Sequence, residues 1–219
     1  MAWNNVWEQV FSSQEWGKYP GEDVIRFVAR NFYNLNDRRS VKILEIGSGP
    51  GANLWFLARE GFNVYAIEGS ETAVKQAKNR LNNEVPGWAG EITVGDFSSL
   101  PYESDSFDAV IDIEAVTHNP FIESKKIYKE VHRVLKAGGK LYSRTFAKGT
   151  IGDDSGELIS KDCYLPDEGP MAGKGPTRFT HEDDIKVLLS PFSNVSYGAI
   201  SREEEGVLIT KEWCITAIK

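Results

Sequence analysis

The 219-residue sequence is poor in cysteine, in basic charge and in long apolar runs. Two cysteines, Cys163 and Cys214, are too few for a disulfide framework or a thiolate metal site. No spacing of His, Asp and Glu suggests a metal site either, so none is expected. A formal net charge of −7 disfavours a broad nucleic-acid surface, which needs a basic footprint. No run approaches the length that spans a bilayer, so no membrane partner is expected. The opening MAWNNVWEQVF lacks a basic n-region and a continuous apolar stretch, so no signal peptide is expected and a reducing cytoplasm is the expected location. There is no internal repeat and no low-complexity tract. What remains is an ordinary globular balance, 41% hydrophobic and 26% charged, in a chain long enough for one domain with a good core.

The chain is organised around the stretch from Val41 to Gly61, VKILEIGSGPGANLWFLAREG. Val41, Ile43, Leu44 and Ile46 read as a central parallel strand covered on both faces. Gly47, Gly49 and Gly51 let the backbone turn sharply and approach a ligand, because no Cβ intervenes. Leu54, Leu57 and Ala58 then recur at helical spacing up to a stop at Gly61. The helix N-terminus, with its unpaired N–H groups, points at whatever lies over the glycines.

Gly47, Gly49 and Ala52 satisfy the dinucleotide fingerprint G-x-G-x-x-G/A, and Gly47, Gly49 and Gly51 equally satisfy E-x-G-x-G-x-G beginning at Glu45. Glu45 separates the two. A carboxylate at the end of a buried strand needs a partner. It would repel a pyrophosphate and attract an ammonium. The stretch resembles motif I of the class I, seven-stranded methyltransferases, which use S-adenosylmethionine. The resemblance implies that Glu45 lies near the methionine ammonium and that the glycine loop runs along the methionine and ribose. The residues it marks here are Gly47, Ser48, Gly49, Gly51, Asn53 and Leu54.

Before this core, Trp3, Val6, Trp7, Val10 and Phe11 predict an amphipathic helix, and Val24, Ile25, Phe27, Val28 and Phe32 a second one after the breakers Gly17 and Pro20. The family often closes this segment over donor and acceptor, which makes Tyr19 a candidate acceptor contact. After the core, Asn63 to Glu68 reads as the second strand. Glu68 follows the first glycine by about twenty residues, the spacing of an acid that accepts from both ribose hydroxyls. Gly69 and Ser70 follow it as further candidate cofactor contacts, and Ser70 is a good N-cap for the next helix.

Glu91 to Gly95 reads as the third strand. Asp96 and Phe97, in the order the family uses, imply contacts to the adenine amine and ring. Phe107 to Ile113 is the fourth strand, and Ile113 and Glu114, further candidate cofactor contacts, lead into a loop that faces the ligand side of an open α/β sheet. In that loop His118 is the best-placed histidine for taking a proton from a hydroxyl or amine acceptor. Asp112 and Glu114 share a face only while the strand persists, so no acid–base pair is assigned to them. A helix from about Ser124 to Leu135 leaves His132 off its apolar stripe, where it is expected to be solvated. Lys136 to Gly139 stops the helix, and Lys140 to Phe146 is the fifth strand, which carries Arg144 as a further candidate acceptor contact.

Residues 147 to 179 look irregular and make a candidate acceptor lid. Thr180 with Asp183 reads as the capping signal of a last helix. Asn194 to Ile200 and Thr210 to Ile218 alternate as two strands around a charged turn at Arg202 to Glu205. The expected architecture is a doubly wound, mostly parallel seven-stranded sheet with helices on both faces and a C-terminal antiparallel hairpin. Residues 1–40 form its helical cap, 41–146 the cofactor core, 147–179 the lid and 180–219 the closing helix and hairpin. The resemblance implies methyl transfer from S-adenosylmethionine to a small-molecule acceptor. An NAD-binding oxidoreductase and a module that binds S-adenosylmethionine without methyl transfer are the alternatives. Oligomeric state is left open.

Overall fold

The computed structural model describes residues 3–219. Met1 and Ala2, the first residues of the expected helical cap and of the stretch searched for a signal peptide, lie outside the described residues. Helices α1 (Val6–Ser13) and α2 (Glu22–Phe32) precede the alternating core. That core runs β1 (Lys42–Ile46), α3 (Ala52–Arg59), β2 (Asn63–Glu68), α4 (Glu71–Glu84), β3 (Ala89–Val94), β4 (Phe107–Ile113), α5 (Phe121–Val134) and β5 (Leu135–Phe146). Three short strands follow, β6 (Glu157–Ser160), β7 (Cys163–Leu165) and β8 (Thr177–Arg178). The chain closes with α6 (Glu182–Leu188), β9 (Ser193–Glu204) and β10 (Val207–Ile218).

The main sheet has the order β3-β2-β1-β4-β5-β10-β9. Strands β1 to β5 pair in parallel, and β10 runs antiparallel to both β5 and β9. The order reverses between β1 and β4, and a crevice outside the carboxyl ends of strands at such a reversal is where ligands bind. Ile43 faces one apolar layer with α2, α3 and α4, while Leu44 faces the other with α5 and α6. Both are fully buried, which is why β1 reads as a continuous apolar run rather than an alternating one.

Several elements differ from their sequence reading. Helix α5 begins at Phe121 rather than Ser124, because Pro120 suits a helix start and leaves no unpaired N–H. Ser124 is buried inside the helix and bonds back to the carbonyl of Asn119 at 3.1 Å. His132 is not simply solvated: its ring meets Phe192 edge-on at 5.2 Å, and burial lowers its pKa. The helix α6 is capped by His181, whose side chain accepts from the Asp183 N–H, and not by Thr180. Thr180 turns inward to Thr145 and Arg178.

Residues 147–179 are not irregular throughout: β6, β7 and β8 form a small antiparallel sheet. Its strands are two to four residues long, too short to show a periodicity in sequence. The last hairpin runs out to Glu205 and Gly206, both at positive φ, as a two-residue primed turn requires. Arg202 and Glu204 therefore belong to β9, and the charge that reads as a turn is the polar edge of a protruding strand. Among the described residues no helix is long and apolar enough to cross a membrane.

Candidate active site

The turn after β1 is built by the glycines and held from the next strand. Gly47 has φ +65°, and a Cβ there would come within 2.3 Å of the Ala115 Cβ. Gly51, at φ +85°, is the N-cap of α3 and packs on Ala77. Glu68 spans the gap between loops: its carboxylate accepts from the Gly49 N–H at 2.8 Å and from the Ser70 N–H at 2.9 Å. The acid that sequence spacing assigns to a ligand thus also fixes the glycine turn. Burial raises its pKa, against the lowering effect of those backbone donors.

Glu45 is 2% exposed. Its Oε1 accepts from Asn53 Nδ2 at 2.6 Å, while Oε2 has no partner. Burial pushes its pKa up to about 8, opposed by the Asn53 bond and aided by the charges of Glu68 and Asp112. An unpaired buried carboxylate oxygen is costly, so the site is built for a donor to arrive there.

The opposite wall comes from the N-terminal segment. Glu8 accepts from Ser70 Oγ at 2.5 Å and from the Thr72 hydroxyl, pinning α1 to the first turn of α4 and holding its own pKa low. The rings of Trp7, Phe11 and Trp16 then pack against one another at 5.4–6.0 Å between centroids. The first helix packs on its own domain, over the glycine turn, where Phe11 lies against Gly49. Between the two walls lies a cavity of about 410 Å³, within the range of small-molecule sites.

Of the candidates, Glu45, Gly47, Ser48, Gly49, Asn53 and Glu68 line this cavity, together with Phe97, Ile113 and Glu114. Tyr19, His118 and Arg144 line it as well. Gly51, Leu54, Gly69, Ser70 and Asp96 are not among the lining residues. Leu54 is fully buried in the core behind the turn. Gly69 lies under Trp3, whose ring carbon would sit 2.0 Å from an added Cβ. Ser70 caps α4. Asp96 is half-buried and accepts from the Ser98 N–H at 2.8 Å. Sequence reading missed Met171 and Ala115 in the lining and gave Trp3, Trp7 and Phe11 only a packing role.

At the far end of β4, Glu114 adopts φ +58° and reaches Arg144 at 2.5 Å. Arg144 also faces Asp23 at 3.2 Å and Glu212 at 3.1 Å, so one guanidinium serves three carboxylates. Burial and the Glu114 charge push Glu212 up to about 8. Asp112 is buried beneath the loop and accepts from Ser143 Oγ, Tyr128 OH and the N–H groups of Ala115 and Val116. It shapes the 113–118 turn rather than facing the cavity. His118 Nδ1 lies 2.9 Å from the Pro176 carbonyl, and its ring meets Trp7 at 4.8 Å. Burial in this wall pushes its pKa down to about 4.

Residues 44–143 match the family model described as the methyltransferase domain. Over these residues the chain is similar to a methyltransferase domain. The sterol 24-C-methyltransferase of Yarrowia lipolytica is 29% identical over 187 residues, which cover 82% of this chain and 47% of that protein. The chain thus spans about half the length of this curated relative. A solved S-adenosylmethionine-dependent methyltransferase from Methanosarcina mazei superposes with a TM-score of 0.66 at 24% identity, covering 84% of this chain and 94% of that one. The cyclase SpnF superposes with a TM-score of 0.70 at 16% identity, covering 98% and 93%. At such identities the likeness is one of fold. The Methanosarcina mazei protein depends on S-adenosylmethionine, and the lining here fits that group. Its amino acid end brings an ammonium, the donor that the free Glu45 oxygen lacks.

Proposed function

We propose that this chain transfers a methyl group from S-adenosylmethionine to a small-molecule acceptor. The observation that carries the reading is the buried, unpartnered Oε2 of Glu45 at the root of the glycine turn. In this reading Glu45, oriented by Asn53, takes the methionine ammonium. Glu68 keeps lone pairs for the ribose hydroxyls beyond the two backbone bonds it already accepts. Ser48 and Gly49 border the methionine and ribose, and Asp96, Phe97 and Ile113 serve the adenine. Gly51, Leu54, Gly69 and Ser70 act from behind by fixing the loops.

When bound, S-adenosylmethionine supplies a methyl group already activated by a positive sulfur. The work left to this chain is positioning and the exclusion of water. Residues 3–40 form the cap over both ligands, 147–179 close the acceptor end, and Tyr19, His118 and Arg144 border the acceptor. His118, held neutral, orients the acceptor heteroatom and takes a proton only from a group that gives it up readily. The acidic balance favours a small molecule over a nucleic acid as partner. Two free thiols, Cys163 and Cys214, suit a reducing cytoplasm.

Calorimetric titration with S-adenosylmethionine, its demethylated product and NAD tests the reading. Binding of the first two and not of NAD is the expected result. Glu68→Ala is expected to weaken both by at least tenfold, since it removes the ribose acceptor and frees the Gly49 turn. Binding of NAD alone would move the chain to the oxidoreductases.

A further inference from the structure

We propose that the acceptor end of the cavity takes a planar aromatic molecule that offers one hydrogen-bond donor, a phenolic O–H or a ring N–H, to Nε2 of His118. The inference rests on the methyl-transfer reading of the site and adds the chemistry of the acceptor.

The histidine tautomer is decided by the small sheet. A carbonyl oxygen accepts and never donates, so the 2.9 Å contact to the Pro176 carbonyl requires that Nδ1 carry the proton. The lone pair then resides on Nε2. The Thr177 hydroxyl approaches the same Nδ1 at 3.3 Å, on the side already taken. The pairing is held in register from both directions. Thr117, the neighbour of His118, donates its hydroxyl to the Arg178 carbonyl at 2.7 Å, and β8 is itself tied to β7. His118 therefore presents a fixed acceptor and no donor.

The surroundings set the rest of the molecule. Trp7 lies against the His118 ring, tilted by 63°, and Phe11 and Trp16 continue the same wall. Aromatic walls of this kind favour flat, polarisable rings at edge or offset geometry. The cations at this end already have partners in the chain. Arg144 is held by three carboxylates, and Lys174 by the Pro170 carbonyl and the face of Trp16. A carboxylate or phosphate without a proton offers no donor to Nε2 and forfeits that bond. Burial also keeps His118 neutral at physiological pH, so the ring remains an acceptor there.

The test compares naphthol with its methyl ether and with naphthoate, in equilibrium binding to protein loaded with S-adenosylhomocysteine. Naphthol is expected to bind about tenfold tighter than the ether, the discrimination of one buried hydrogen bond, and tighter than naphthoate. In His118→Phe the preference for naphthol over the ether should vanish while S-adenosylhomocysteine affinity stays unchanged. Equal binding of naphthol and ether to the wild type, survival of the preference in the variant, tighter binding of naphthoate, or no binding of naphthol at millimolar concentration would each overturn the inference. The wild-type comparison needs no variant and stands even where His118→Phe fails to fold. If S-adenosylhomocysteine itself does not bind, the cofactor reading fails instead, and the same probes on the unloaded protein still decide the acceptor question.

Discussion

The half of the cavity around the glycine turn and the half under the N-terminal helix are built by different means. The first comes from strand ends that follow one another in the chain, at β1, β2 and β4, and its polar groups hold each other: Glu68 fixes Gly49, and Asn53 fixes Glu45. The second gathers Trp7, His118, Arg144 and Met171 from four distant segments, joined by ring packing and by single bonds such as His118 to Pro176. A rigid wall is suited to a ligand of constant shape, and an assembled aromatic wall to one whose shape differs between relatives. The comparison implies that substitutions in the first half cost both fold and donor binding, whereas those in the second change the acceptor with little effect on either.

The largest effect is expected from Gly47→Val. The new Cβ meets the Ala115 Cβ at 2.3 Å in a left-handed conformation. The combined strain and overpacking are about 3 kcal/mol, so melting temperature and donor affinity should fall together. A variant that melts like the wild type and binds donor normally would mean that the turn is not the rigid half.

Glu45→Gln is expected to act next. The folded pKa of Glu45, about 8, lies above the ordinary value of 4.5, so between those values the folded chain holds the extra proton. Its contribution to stability is full below the ordinary value and is lost as pH rises through about 8. The Gln variant should lack this loss and be relatively more stable at alkaline pH. An ammonium beside Oε2 favours the ionised form, so ligand binding at neutral pH should release about one proton in the wild type and correspondingly less in the variant. Affinity should drop by about 2 kcal/mol, the worth of a charged hydrogen bond. Calorimetry in buffers of different ionisation enthalpy reads the proton directly, and identical proton release by the two proteins would remove Glu45 from the donor site.

The smallest effect belongs to Tyr19→Ala at the rim. Tyr19 is 72% exposed, with its ring edge-on to Trp55 and under the Arg80 guanidinium. Stability should change by less than about 0.5 kcal/mol and donor affinity not at all, with any change confined to the acceptor KM. A large loss of donor affinity would erase the distinction between the halves.

The same division governs what could be read in advance. The spans of β2 and β4, the glycine turn and the Ser70 cap are local: apolar runs, missing Cβ atoms and a side chain that reaches three residues ahead to the Ala73 N–H. The small sheet of β6 to β8 was not legible, because its strands are too short for a pattern and depend on partners elsewhere. Nor was the His181 cap, since Thr180 has the better capping chemistry and tertiary bonds to Thr145 and Arg178 draw it away. Leu54, Gly69 and Ser70 follow lining residues in sequence, yet they pack behind the loops or cap a helix.

By itself the sequence determined the alternating parallel sheet, the glycine turn after its first strand and the carboxylate at the root of that turn, because these depend on neighbours within a few residues. Only the tertiary structure decided that Glu68 braces the glycine turn, that the first helix roofs the cavity, and that a carbonyl from residue 176 sets the His118 tautomer. Those outcomes depend on which surfaces meet across 19 to 62 residues of chain, and no local propensity encodes such a meeting.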